Sequence, residues 1–123
     1  MSVCVNWDDC EKVLHHTFYN ELRVAPEETA VLATVPPCAG LAYKEKMIQI
    51  LFETFSVPSV CLVDQAVLAL YASGRTTGLV VMVGETSTFA VPIYEGCTLE
   101  YAAFSNGVGG RSVTDCMMKV CVN

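Results

Sequence analysis

Basic residues are scarce in this sequence. Seven Lys and Arg stand against thirteen Asp and Glu in 123 residues, and the formal net charge is −6. No basic cluster exceeds Lys44–Glu45–Lys46. Binding driven by counterion release from nucleic acid or anionic lipid is therefore disfavoured, and no nucleic-acid partner is expected. Long apolar runs are lacking too. The longest, Ala66 to Ala72, is far short of the ~18–20 residues that span a bilayer, which argues against membrane insertion. The opening stretch, Met1 to Cys10, has no basic start and carries Asp8 and Asp9, so it does not read as a secretory leader.

Paired-cysteine motifs are missing as well. The seven cysteines, at 4, 10, 38, 61, 97, 116 and 121, include no C-x-x-C and no zinc-ribbon spacing. Most lie in apolar stretches such as Val60-Cys61-Leu62, where a thiol acts as a small hydrophobe. That pattern predicts free thiols in a reducing compartment inside the cell. What the chain does have is apolar material, 53% of its residues, ample for a core. A chain of this length predicts one domain or a piece of a larger one.

Periodicity supplies the elements. Cys10, Val13, Leu14, Thr17, Phe18 and Leu22 fall on one helical stripe from Asn6 to Arg23, with Asn6 as N-cap and Pro26 as the stop. Val31 to Val35 reads as a strand closed by Pro36-Pro37. A helix from Tyr43 to Phe55 places Met47, Ile48, Leu51 and Phe55 on one face, and Ser59 to Val63 forms the next strand. Asp64 caps a helix from Gln65 to Ser73, which Gly74 ends. Strands follow at 79–83, 88–94 and 98–104, with a turn at 84–87. The flexible run 106–110 then leads into a helix at 112–122. Strand, helix, strand, helix, strand from 31 to 83 predicts parallel pairing in an α/β fold, with a boundary near 74–78.

Some stretches are more specific than periodicity. Asn6-Trp7-Asp8-Asp9, His15-His16-Thr17-Phe18-Tyr19-Asn20-Glu21-Leu22-Arg23-Val24-Ala25-Pro26-Glu27-Glu28 and Leu70-Tyr71-Ala72-Ser73-Gly74-Arg75-Thr76-Thr77-Gly78 resemble actin almost word for word. So do Glu45-Lys46-Met47, Phe52-Glu53-Thr54-Phe55, Gln65-Ala66-Val67-Leu68 and Val91-Pro92-Ile93-Tyr94-Glu95-Gly96. The resemblance runs from about Val5 to Lys119. It implies a partial actin-like α/β fold of the actin and sugar-kinase superfamily, ribonuclease-H-like, covering about a third of a full actin. Residues 1–73 would be the outer-domain segment, with 65–73 as hinge helix, and 78–123 would open the inner domain. The first phosphate hairpin would precede Met1, and most of the adenine pocket would follow Asn123.

The resemblance also implies a site. The family binds ATP and Mg²⁺ between its halves, with glycine-bearing hairpins holding phosphates through backbone N–H groups. Gln65 matches the water-positioning glutamine, the catalytic candidate here. Gly84, Glu85 and Thr86 fall on the second phosphate hairpin, and Gly110 on the residue that approaches the ribose. Met82 stands where the family has its metal-orienting aspartate, and Phe89 where it has a water-positioning histidine. Met82 cannot hold the water of a hard cation, and Phe89 offers no proton acceptor. The β-branched Thr86 replaces a glycine that permits φ > 0. These losses predict a plain hairpin at 79–94, no metal site, and no ATP bound by the isolated chain.

Other candidates carry less. His15 and His16 are adjacent, about 100° apart on a helix, and lack zinc-pair spacing. Asn106-Gly107-Val108-Gly109-Gly110 lacks the strand–turn–helix unit of a dinucleotide site. Tyr71, Gly74, Arg75, Thr76 and Glu95 match the lining of actin's hydrophobic groove, where partners insert an amphipathic helix, and Cys97 replaces a tyrosine there. Tyr71 is equally suited to a core. The expected function is that of an actin-like cytoskeletal, cytoplasmic protein with ATP-linked filament assembly as its family role, and actin or actin-binding proteins as partners. The alternatives are a divergent interaction protein without nucleotide turnover, and a nonfunctional relic of an actin gene.

Overall fold

A computed structural model describes residues 6–121; the expectations for Cys4 and Val122 lie outside them. The chain forms two compact units, Met1–Val63 and Asp64–Asn123, so the division falls ahead of the helix at 65–72.

In the first unit, α1 (Trp7–His16) starts on Asn6, whose side chain accepts from the Asp8 N–H at 3.2 Å, as the sequence predicts. Asp8 and Asp9 complement the positive end of the dipole. The helix then passes into a π-helical turn, Thr17–Leu22, which Arg23 ends in the left-handed conformation. The π turn takes up more residues per revolution than α geometry. Residues beyond it therefore leave the expected stripe. Phe18 is buried, whereas Leu22 is 59% exposed. Val13, also assigned to that stripe, is exposed as well.

The second helix, α2 (Leu41–Gln49), begins two residues earlier than expected, on Gly40, and likewise closes in a π turn, Ile50–Thr54. Met47, Leu51 and Phe55 are buried together with Ile50, while Ile48 stays partly exposed. Phe18, Met47, Ile50, Leu51, Phe55 and Val57 form the core, with the Phe18 and Phe55 rings 5.3 Å apart. Fully burying a side chain such as Leu51 contributes roughly 1.5–3 kcal/mol. Strands β1 (Val31–Val35) and β2 (Val60–Asp64) pair in a two-stranded sheet.

In the second unit, α3 (Gln65–Ala72) is capped by the Asp64 carboxylate, which accepts from the Ala66 N–H at 2.8 Å. Leu70 packs against Gly78 at the start of β3 (Gly78–Val83). β3 pairs antiparallel with β4 (Thr88–Tyr94), from Gly78↔Ile93 to Val83↔Thr88. This corrects the parallel βαβαβ reading: β3 belongs to a second sheet, separate from β1 and β2. A short turn lets β3 find β4 before any crossover is needed.

The strand expected at 98–104 is also divided. β5 (Cys97–Thr98) pairs with the end of β4, and β6 (Phe104–Asn106) pairs with its beginning, with a 3₁₀ turn at Glu100–Ala102 between them. Pro92 lies between the two paired segments and has no N–H to donate, so the ladder is interrupted there. Helix α4 (Gly110–Cys121) starts two residues earlier than expected.

Candidate functional site

Two ends of the second unit carry the residues of interest. At one end, the turn between β3 and β4 is a two-residue loop, Glu85–Thr86, closed by a 2.8 Å bond from the Gly84 N–H to the Ser87 carbonyl. None of its residues has a positive φ. Thr86 is thus unstrained, although its position in the family favours glycine. Met82 and Phe89 face each other across the ladder. Together with Gln65, Val83, Gly84 and Ser87 they line a pocket of about 270 Å³. Its lining contains no carboxylate and no histidine.

The turn is also tied to α4. The Gly84 carbonyl accepts from the Gly110 N–H, and the Glu85 carbonyl from the Arg111 N–H, each at 2.9 Å. The Thr88 hydroxyl donates to the Val108 carbonyl at 2.8 Å, and Arg111 Nε lies 3.6 Å from Glu85 Oε1. Gly109 is buried against this turn so closely that a Cβ would overlap the Glu85 carbonyl. Here the hairpin supplies acceptors to donors that a helix N-terminus otherwise leaves open. Gly84, Glu85, Thr86 and Gly110, assigned to one site by sequence, are indeed neighbours, and Gln65 reaches the same pocket. The contributions of Gly109 and Arg111 were not legible beforehand. Consecutive glycines ahead of a helix were the available signal, and they read only as a flexible run.

At the other end, Gly74 ends α3 with φ +74°, and its N–H donates to the Tyr71 carbonyl at 2.9 Å. The Tyr94–Cys97 hairpin turns through Glu95 (φ 49°) and Gly96 (φ 81°), the two positive values of a type I′ turn. Its Gly96 N–H donates to the Thr76 carbonyl at 2.8 Å, and its Glu95 N–H to the Thr77 hydroxyl at 3.0 Å. The Tyr71 hydroxyl lies over Gly96, leaving no room for a Cβ. Tyr71 is half-exposed and Cys97 exposed. Tyr71, Gly74, Thr76 and Glu95 are thus held together by backbone bonds, with Arg75 and Cys97 next to them in the chain.

The remaining candidates stand apart. His15 stacks on Tyr19 at 4.6 Å between centroids, and His16 Nδ1 lies 3.8 Å from Glu21. Among the described residues, no group of three His, Cys, Asp or Glu could hold a metal ion. The sequence gave no notice of an open pocket of about 410 Å³ in the first unit, lined by Asp8, Glu11, Lys12, His15, Thr54 and Phe55. Burial pushes the Cys10 thiol above its ordinary pKa. Burial, and then the neighbouring Cys10 thiolate, do the same to Tyr43.

No helix among the described residues is long and apolar enough to cross a membrane. The actin family model matches residues 1–123, the whole chain. With the mixed α/β elements and the hairpin and groove segments in the order described, the match shows that this chain is a member of the actin family.

Proposed function

We propose that this chain acts in the cytoskeleton as a protein-binding member of its family, through the surface around Tyr71, and not through nucleotide turnover. The observation that carries the reading is the pair of conserved-geometry positive-φ turns at Gly74 and Glu95–Gly96, which hold the groove segments beside an accessible tyrosine. An aromatic anchor beside polar groups suits the apolar face of a partner helix. The partners it would take are actin or actin-binding proteins of that kind, in the cytoplasm.

The hairpin end fits Mg²⁺ and ATP poorly. Its pocket is lined by Met82, Val83 and Phe89 and offers no group to orient a cation's water or accept a proton. The carbonyls of Gly84 and Glu85 are already engaged by α4. Gln65 alone retains a polar side chain at the place where the family positions water. A role in ATP-linked filament assembly would therefore have to come without hydrolysis by these residues.

Titration with a fluorescent amphipathic helical peptide tests the reading. Tyr71→Ala should weaken binding about tenfold, the loss of one interfacial aromatic anchor. Millimolar Mg²⁺ and ATP should leave the melting temperature unchanged, because stabilisation follows occupancy. Peptide binding insensitive to Tyr71→Ala, or a nucleotide-dependent rise in melting temperature, would contradict the proposal.

A further inference from the structure

β3 is an edge strand. It pairs with β4 on one side, and among the described residues no strand pairs with its other side. Natural edges are blunted by lysine, proline, a bulge or short length. β3 has none of these. Its sequence, Gly-Leu-Val-Val-Met-Val, contains no polar side chain, and its register with β4 runs unbroken through six residues. The other strands that could offer an edge differ. β1 contains Thr34 and runs into Pro36–Pro37, β2 ends on Asp64, and β5 and β6 have two and three residues.

The edge also has a defined polarity. Gly84 and Ser87 form a hydrogen-bonded pair, and bonded pairs alternate along an antiparallel ladder. Met82, Val80 and Gly78 therefore bond to β4, while the N–H and C=O groups of Leu79, Val81 and Val83 point outward. The side chains of these same residues are 65%, 59% and 71% exposed. They continue across the sheet to the exposed Phe104, through Ala90, which pairs with both Val81 and Phe104.

We infer that β3 is a self-association site, where a second copy of this chain adds its own β3 antiparallel about a twofold axis at Val81. That register sets Val81 opposite Val81 and Leu79 opposite Val83 of the second copy. The outward backbone groups then meet as bonded pairs, and every facing side chain on the exposed side is apolar. Charge agrees with the pairing. Arg75 lies before the strand and Glu85 after it, so the twofold brings Arg75 of each copy towards Glu85 of the other. The contact uses the same patch on both chains, so it closes as a dimer and does not propagate into a fibre.

The test uses the full chain. Light scattering after gel filtration, from micromolar to millimolar concentration, should show a mass rising to twice that of one chain. Val81→Pro removes a donor that the β3–β4 ladder does not use, so it should leave the circular dichroism unchanged and hold the mass at one chain. Amide exchange of the unaltered protein gives a readout that needs no variant. The amides of Leu79, Val81 and Val83 should gain protection as concentration rises, while those of Val80 and Met82 stay protected throughout. A monomer over the whole range would overturn the inference. So would association that persists in folded Val81→Pro, or exchange at Leu79, Val81 and Val83 that ignores concentration.

Discussion

The two hairpins of the second unit contain the same number of turn residues but follow different rules. The Tyr94–Cys97 hairpin uses Glu95 and Gly96, both at positive φ, with the Tyr71 hydroxyl laid directly over the glycine. The Val83–Thr88 connection uses Glu85 and Thr86, neither at positive φ, and leans on α4 through two carbonyls. The first turn is specified by its own residues; the second takes its shape from a distant partner. A turn that only glycine can make tolerates little change. A turn braced from outside can absorb a threonine, a methionine and a phenylalanine in or beside it.

The comparison is most exposed to Gly96→Val. A β-branched residue there is forced to φ near +81° and into the Tyr71 ring, which should destabilise the second unit by about 2–4 kcal/mol in urea unfolding. A loss below about 1 kcal/mol would mean the turn refolds cheaply and the distinction fails. Thr86→Gly probes the other turn. With φ already negative, the change should only add unfolded-state freedom and cost roughly 0.5–1 kcal/mol. Stabilisation instead would reveal a turn that wants a left-handed residue. The smallest effect concerns the first unit, where the burial-raised Cys10 thiol sets a pH dependence. Its folded pKa lies above its ordinary value of 9.0, so it contributes stability that is present below pH 9 and is lost as pH rises through the folded pKa. Fluorescence of Trp7, which packs on Tyr43 at 5.2 Å, reports that loss, and Cys10→Val should reduce it. Neither hairpin should show this dependence.

Most elements were legible because local chemistry determines them. Asn6 and Asp64 cap their helices through their own oxygens, and Pro36 and Gly74 end what precedes them. Strand partnership was not legible, since β3 could read as a third parallel strand until the short turn at 84–87 was seen to take it to β4. The groove segments could be identified because the residues that force their turns, Gly74 and Gly96, are themselves the signal. The tie between the hairpin and α4 could not, because backbone carbonyls carry no sequence signature. Likewise the interruption at Pro92 follows from a missing N–H that matters only once a neighbour is known.

The π turns that close both helices of the first unit have a consequence for sequence length. Each holds a residue more than an α-helix would need to reach the same point in space. Deleting one residue within Thr17–Leu22 would therefore relax that turn to α geometry, without pulling Pro26 away from the core it is buried in. Each helix carries slack of one residue beside its most buried phenylalanine, Phe18 in one and Phe55 in the other. Spacing along the chain and phase around the axis are decoupled at these two places, and length variation between related chains has somewhere to go without disturbing the core.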